Sequence, residues 1–589
     1  MTVLGWVTIV VFVLALTALA LALGRYMAAV YTGGRTWLDP VLRGPERLLY
    51  RVLRVDVAQG QDWKAYAKSL IIFSLAGWLL LYLILRTQLL WDFPGLNPQH
   101  FHSAPWNVTF NTTSSFLTNT NWQYYGGETT MSYFSQMAGL TVQNFLSAGV
   151  GIVVAVALIR GIISRSGKSL GNFYQDLVRT VLYVLVPISI VVALVLVFQG
   201  SIQNFASYLT VHGITGLTQS IGMGPVASQE SIKLLGTNGG GFFNVNSAHP
   251  FENPTGFTNL LEMLVVLIIP AALVFTYGRM AGNRRQGYAI YSAMMVMFLG
   301  AVVVAYIAEA HGSPAQHAAG LHTGVIPGST GGNMEGKEQR FGIAGSALFD
   351  VVTTVTSCGA VNSSIESFTG IGGAVPFANL SASETIFGGV GTGLYSILLY
   401  VLLAVFLGGL MVGRTPEYLG KKIEAREIKL VSLGILITPL GALLATALAT
   451  ASRAGRASIS TAATGPQGFS ESFYAYLSQA NNNGSAFPGY TGFIQTTAGS
   501  VGSHGVTFAD LLGGFTMLFA RYAPIFFALA VAGSLAGKRV SPAGLGTMRT
   551  DNPTFVVLLI GVIVLVGALT FFPALLLGPI VQGLTGHLY

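Results

Sequence analysis

Cysteine is almost missing: Cys358 is the single one in 589 residues. One thiol excludes a disulfide framework and a Cys-based zinc cage. Charge is scarce as well. Asp, Glu, Lys and Arg make up 9% of the chain, against about 25% in an average soluble domain. A globule of this size cannot cover itself with so little charge, so an ordinary soluble enzyme is excluded. The formal net charge of +8 invites a nucleic-acid reading. That reading fails, because most of the 30 Lys and Arg lie in short loops between apolar runs and build no basic domain. No His-Glu-x-x-His motif and no G-x-x-x-x-G-K-[ST] phosphate loop occurs either.

What the chain has is apolar length. Hydrophobic residues make 52% of it. A spanning helix needs about 20 mostly apolar residues. Ten stretches qualify, near 4–23, 69–90, 134–160, 175–198, 258–278, 288–309, 382–412, 428–450, 508–536 and 554–578. The first lacks the positive flank and the small-residue cleavage site of a signal peptide, so it reads as a retained helix. Lys and Arg gather in alternate loops, 23 of the 30 in the segments after helices 1, 3, 5, 7 and 9. The positive-inside rule places those loops in the cytoplasm and both termini outside.

The outer loops are long, roughly 91–133, 199–257, 310–381 and 451–507. Each holds a short amphipathic stretch followed by a polar turn. The first turn is Thr118-Asn119-Thr120-Asn121-Trp122-Gln123, with Gly126 and Gly127 after it. The second is Gly236-Thr237-Asn238-Gly239-Gly240-Gly241, the third Thr356-Ser357-Cys358-Gly359-Ala360-Val361-Asn362, the fourth Asn481-Asn482-Asn483-Gly484-Ser485-Ala486-Phe487. From Gln123 to Gly239 is 116 positions, then 120 to Gly359 and 125 to Gly484. Regular spacing of this kind marks a repeat.

The expected unit is helix, re-entrant short helix, polar turn, helix. The expected fold is an all-α integral membrane protein of ten transmembrane helices. Four pseudo-repeats surround one pore, with an extra first and last helix. The pore repeats fall at 69–160, 175–278, 288–412 and 428–536. They are flanked by 1–68, the extra first helix with its cytoplasmic loop, and by 554–589. The short helices are expected near 111–118, 228–236, 346–356 and 471–481. The chemistry suits a monovalent cation. Irregular backbone at membrane depth survives only where it is buried in protein or lines a wet cavity. Inward carbonyls can replace the water of a K⁺-sized ion. Glycine supplies the dihedrals that aim them, and short helices add the negative potential of their C-terminal ends. No ring of four carboxylates occurs, which argues against a divalent-cation filter. The candidate filter residues are Asn119, Thr120, Asn121, Gln123, Thr237, Asn238, Gly239, Ser357, Cys358, Gly359, Asn482, Asn483 and Gly484. For Cys358 the expected ligand is the backbone carbonyl, not the thiol.

Two further motifs stand out. Gly388-Gly389-Val390-Gly391-Thr392-Gly393-Leu394-Tyr395 crowds the outer part of helix 7. Gly413-Arg414-Thr415-Pro416-Glu417-Tyr418-Leu419-Gly420-Lys421-Lys422 closes that helix on the cytoplasmic side. With the four turns they resemble the potassium-binding A subunit of the bacterial Kdp potassium-transporting ATPase, over essentially the whole chain. The resemblance implies a K⁺-selecting subunit in a superfamily of transporters with four channel-like repeats. It implies partners: a P-type ATPase B subunit, a single-span C subunit and a small F subunit in a bacterial or archaeal plasma membrane. It also implies that K⁺ passes sideways to the ATPase subunit. The chain carries no Asp-Lys-Thr-Gly-Thr phosphorylation motif and no sizeable soluble segment. It is expected to have no catalytic residues and no cofactor beyond K⁺ as transported ligand, to touch membrane lipid, and to bind no nucleic acid.

Some residues are costly where they stand. Arg521 lies mid-way along helix 9, where insertion of Arg costs about 2.5–3.5 kcal/mol. It is either a structural pair or a positive charge below the filter that limits free K⁺ flow; the resemblance favours the second. Gly388, Gly389, Gly391 and Gly393 are either small residues for close helix packing or a break that makes an intramembrane gating loop. Lys233, beside Glu230, is either Glu-paired, exposed or in contact with lipid headgroups; a filter role for its charge would oppose cations. Asp350, Glu384, Glu471 and Asp510 either concentrate cations at the mouth or anchor the re-entrant segments. Arg414, Glu417, Lys421 and Lys422 are read as an exposed basic loop. A stand-alone K⁺ channel or an ion-coupled K⁺ symporter is the alternative function; an intramembrane enzyme lacks a dyad or a metal cluster.

Overall fold

The computed structural model describes residues 1–165, 167–326, 331–457, 465–492, 508–542 and 547–581. In chain order the helices that matter begin with α1 (Val3–Thr32), α2 (Asp39–Val52) and α3 (Trp63–Arg86). Short α4 (Trp106–Leu117) precedes α5 (Ser135–Ile163) and α6 (Phe173–Gln199). Short α7 (Val226–Leu235) precedes α8 (Gly256–Met280) and α9 (Arg284–His311). Then come α10 (Gly342–Val355), α11 (Gly370–Ser381), α12 (Thr392–Met411) and α13 (Ala425–Ala451). The last three are α14 (Gly465–Ala480), α15 (Phe508–Ala536) and α16 (Pro553–Leu575).

Among the described residues ten helices are long and apolar enough to cross a membrane: α1, α3, α5, α6, α8, α9, α12, α13, α15 and α16. The chain is a multi-pass membrane protein. Burial sorts these helices. The apolar window of α5 is 83% buried and that of α8 is 78% buried, against 28% for α1, α3 and α16. So α5 and α8 form the centre. The outer helices leave apolar side chains such as Leu14, Leu75 and Leu565 exposed, and exposed apolar flanks of membrane-crossing length suit lipid.

Local sequence sets the boundaries. Asp62 caps α3 by accepting from the Ala65 amide, and Thr255 forms a capping box with Thr258 at the start of α8. Asn552 caps α16 ahead of Pro553, which sits in the first turn where its missing N–H costs nothing. α1 ends on Gly33 at φ 75°, the left-handed closure that glycine allows without strain.

Helix 7 differs from its sequence reading of 382–412. The chain forms the half-helix α11, leaves helical geometry through 382–391, and resumes as α12 at Thr392. The segment 382–391 is not a helix because Ser383, Glu384, Phe387, Gly388 and Gly391 all take positive φ, which a right-handed helix forbids. Hydropathy cannot register this, since a buried apolar loop is as hydrophobic as a buried helix. α11 was hidden for the converse reason, as an apolar piece inside what reads as an outer loop.

Candidate functional site

Short helices α4, α7, α10 and α14 each end at one of the four polar turns. They start earlier in the chain than the sequence suggested, at Trp106, Val226, Gly342 and Gly465. Their C-terminal ends bring the negative ends of four helix dipoles to the same place. The turns share one backbone signature. Asn119 and Asn121, Thr237 and Gly239, Ser357 and Gly359, Asn482 and Gly484 have positive φ, two residues apart in every case. Positive φ at every second residue is the alternation that lets successive carbonyls face one side, as a carbonyl cage needs. Three turns use Gly at the second position. The first uses Asn121, the residue type that best tolerates φ above zero after Gly.

The signature also sets the register. Asn121 to Gly239 is 118 positions, followed by 120 and 125. Gln123, the residue by which the sequence reading aligned the first turn, lies two positions further on. Its side chain accepts from the Gly241 amide at 3.1 Å and donates to the Gly241 carbonyl at 3.2 Å. It braces the first turn against the second.

The turns meet one another in cyclic order. A Cβ on Gly239 would overlap the Cys358 carbonyl, one on Gly359 the Asn483 carbonyl, and one on Gly484 the Thr120 carbonyl. Side chains tie the ring: Asn119 donates to the Thr237 carbonyl at 2.8 Å, Asn482 to Thr120 Oγ1 at 3.0 Å and Asn483 to the Thr353 carbonyl at 2.8 Å. Behind the first turn, Asn121 donates to Asn144 Oδ1 at 2.7 Å and Ser147 to Asn119 Oδ1 at 2.8 Å. All thirteen candidate residues lie in these turns; all but Gln123 and Gly484 are buried. A cavity of about 1310 Å³ lies against them, lined by Asn121, Gly239, Gly359 and Gly484, one residue from each turn.

On the other side of the turns sits the segment 382–391. Val390 N donates to Thr237 Oγ1 at 3.0 Å, and Gly388 N donates to the Val355 carbonyl at 2.9 Å. Gly388, Gly389 and Gly391 belong to this loop, while Gly393 lies in the first turn of α12. Arg521, buried in α15, donates to Thr392 Oγ1 at 2.7 Å. The four glycines, Thr392 and Arg521 are thereby joined at one place below the turns. Glu384 belongs to the same loop, where its carboxylate lies within Coulombic reach of Arg521.

Other expectations resolve residue by residue. Lys233 is fully buried and paired with Glu230 at 2.7 Å and Glu252 at 2.6 Å, so it is neither exposed nor at a lipid headgroup. Asp510 accepts from Asn107 at 2.7 Å through its carboxylate and from Asn111 at 2.8 Å through its carbonyl, tying α4 to the start of α15. Lys421 is corrected. It stands in a small hairpin, β1 (Glu417–Tyr418) and β2 (Lys421–Lys422), as if for solvent. Instead it is 1% exposed, and its ammonium donates to the Gly161 carbonyl at 3.0 Å and the Leu535 carbonyl at 2.7 Å. Those carbonyls end α5 and α15, and a cation suits a helix C-terminus. Sequence reasoning missed Asn246 and Glu252, which lie beyond the second turn in a stretch with no periodic signal.

Residues 10–584 match the family described as the potassium-transporting ATPase A subunit. The chain belongs to that family. A member from Mesorhizobium japonicum, named potassium-transporting ATPase potassium-binding subunit, is 51% identical over 99% of both chains. One of the same name from Methylobacterium nodulans is 52% identical over 100% of this chain and 98% of its own. The crystal structure of the potassium transporter TrkH from Vibrio parahaemolyticus aligns with a TM-score of 0.45 at 16% identity, over 76% of this chain and 84% of that one; a likeness so loose carries no argument. In this A subunit family member, the four turns and the loop beneath them make the candidate ion path.

Proposed function

We propose that this chain is the potassium-binding subunit of an ATP-driven K⁺ uptake complex, selecting K⁺ at the four turns and hydrolysing no ATP itself. One observation carries the reading: four buried turns with the same alternation of φ, each at a helix C-terminus, meeting in a ring at the floor of one cavity. Carbonyl oxygens are neutral, so such a ring suits a weakly hydrated monovalent ion better than a divalent one. The names of the relatives, each over nearly its whole length, support the same ion.

The loop 382–391 and Arg521 act as the barrier below the filter. The loop spans the inner side of the second and third turns, and a buried guanidinium beside it disfavours a second cation. We assign the partners by the family resemblance: a P-type ATPase B subunit that splits ATP, a C subunit and a small F subunit, with lipid around the exposed helices. The loop charges support an orientation with both termini outside, and the family resemblance supports a bacterial or archaeal plasma membrane.

The test is K⁺-stimulated ATP hydrolysis by the chain purified with its native partners. Stimulation at low K⁺ that is lost in Gly359→Val, with assembly intact, supports the reading. Hydrolysis indifferent to K⁺, or K⁺ currents from the chain alone, would replace it with the stand-alone channel or symporter.

A further inference from the structure

The four turns are alike in backbone and unlike in what holds them. In each, one residue of the preceding short helix accepts from the turn's amides through its carbonyl. These residues are Ser115, Lys233, Thr353 and Ser478. Three are small and hydroxylated. Ser115 Oγ donates to the Trp122 carbonyl at 2.9 Å, and Ser478 Oγ accepts from the Gly484 amide at 3.0 Å, so each braces only its own turn. The second turn has a lysine in that place. Its carbonyl accepts from the Asn238 amide at 2.7 Å and the Gly239 amide at 3.4 Å.

The Lys233 side chain runs past the turn to the segment beyond it. Its ammonium donates to Asn246 Oδ1 at 2.8 Å. The Asn246 amide nitrogen in turn donates to the Gly239 carbonyl. Glu252, paired with the same ammonium, also accepts from the Phe243 amide at 2.8 Å. One residue thus grips the second turn twice, by its own carbonyl and through Asn246. Asn246 can face only one way: its oxygen must meet the ammonium, which has no acceptor, so its NH₂ must meet the carbonyl. The two paired carboxylates offset the lysine charge, so the arrangement does not repel a cation at the turn.

Resting on the filter reading above, we propose that Lys233 and Asn246 are positioning residues for selectivity. Through Asn246 the ammonium sets the orientation and electron density of the Gly239 carbonyl, in one quadrant of the ring only. A carbonyl polarised by a donor gives less to a bound cation, and one held in place cannot follow a cation of different radius. The second turn is therefore the stiff, size-reading member of the ring.

The test uses the intact complex and two readouts: the K⁺ concentration for half-maximal ATP hydrolysis, and the ratio of that value to the one for Rb⁺. Asn246→Ala removes the donor. Asn246→Asp keeps an acceptor for Lys233 but also loses the donor. Both should change the K⁺-to-Rb⁺ ratio roughly tenfold, the upper end of what one hydrogen bond contributes, with the maximal rate near wild type. Lys233→Met combined with Glu230→Gln and Glu252→Gln removes the ammonium together with both carboxylates it pairs with and should give the same shift. Variants that assemble with an unchanged ratio overturn the proposal. So do variants that all fail to assemble, since the pair would then serve folding. Gly359→Ala, in the third turn, is the control. If it leaves the ratio unchanged, the filter reading itself is wrong; if it shifts the ratio while both Asn246 variants do not, only the positioning role fails.

Discussion

Gly391 and Gly151 meet backbone to backbone. A Cβ on Gly391 would overlap the Gly151 carbonyl, and a Cβ on Gly151 would overlap the Val390 carbonyl. The contact joins the loop under the turns to α5, the most enclosed helix, and neither residue tolerates a side chain. Gly391 also has φ 84°, so two separate constraints select glycine there.

This fixes a first prediction. Gly151→Ala adds one methyl to a contact that has no room for it, and overpacking of this kind costs about 1–3 kcal/mol. The strain is relieved most cheaply by moving the loop, which is held by a few hydrogen bonds, not the central helix. Gly151→Ala should therefore loosen the barrier while leaving the turns in place. The expected result is passive K⁺ flux into vesicles holding the purified complex without ATP, with K⁺-dependent ATP hydrolysis retained. Tight vesicles with normal coupling would sink the idea.

A second prediction separates backbone conformation from side-chain chemistry at the turns. Asn121 takes the left-handed place that Gly239, Gly359 and Gly484 take elsewhere, at φ 53°. Asn121→Gly keeps that conformation and loses the bond to Asn144. Asn121→Val makes φ above zero a genuine outlier, at a cost on the order of 1–2 kcal/mol. K⁺ affinity, read from the half-saturation of ATP hydrolysis, should fall little in Asn121→Gly and at least tenfold in Asn121→Val. Equal effects would mean that the side chain, not the carbonyl geometry, serves the ion.

Lys421 supplies a third. It joins the ends of α5 and α15 through two carbonyls, so Lys421→Ala leaves both without that donor. Unpaired buried polar groups cost about 1–3 kcal/mol each, and a clear drop in the melting temperature of the complex is expected. Selectivity between K⁺ and Rb⁺ should not move, because the turns are remote. Burial pushes the Lys421 ammonium down to about 8. Its folded value is thus below the ordinary lysine value, so the burial penalty is fully present below pH 8. It is relieved as pH rises above 8 toward the range where an unfolded lysine titrates. The melting difference between wild type and Lys421→Met should shift in favour of wild type over that window. A difference that is flat with pH would refute the assignment.

Much of this architecture was legible in the sequence, and the failures share a cause. Hydropathy finds helices that cross lipid, and α15 ends at Ala536, the C-terminal bound predicted for it. It cannot separate a buried apolar loop from a buried helix, which is why 382–391 merged into helix 7; only its run of glycines offered the break as an alternative. Glycine marked three turns correctly; the first was aligned on Gln123, two residues too far along, because Asn121 does glycine's work there. Lys233 and Lys421 resist reading for another reason. A lysine is assigned to water by default; the pairing of Lys233 with Glu230 was among the sequence readings, but only three-dimensional contacts reveal Glu252 beside it and the two helix ends beside Lys421.

Arg521 gives the last prediction, from charge alone. A channel-like filter in a pump must not let accumulated K⁺ run back. Two unit charges 6 Å apart repel by roughly 2.8 kcal/mol at an effective dielectric of 20. That is about a hundredfold in local K⁺ occupancy, enough to act as a barrier and small enough for a conformational change to cancel. The bond from Arg521 to Thr392 adds a second route, since Thr392 is where the loop becomes α12. Three variants separate the two. Arg521→Met removes charge and bond, Arg521→Lys keeps charge but loses the fork of donors, and Thr392→Val keeps charge and loses only the bond. If charge is the barrier, vesicles leak K⁺ with Met and stay tight with Lys and with Thr392→Val. If the bond is the barrier, Thr392→Val leaks as much as Arg521→Met. Tight vesicles with all three variants would reduce Arg521 to a structural residue and leave the loop as the only closure below the turns.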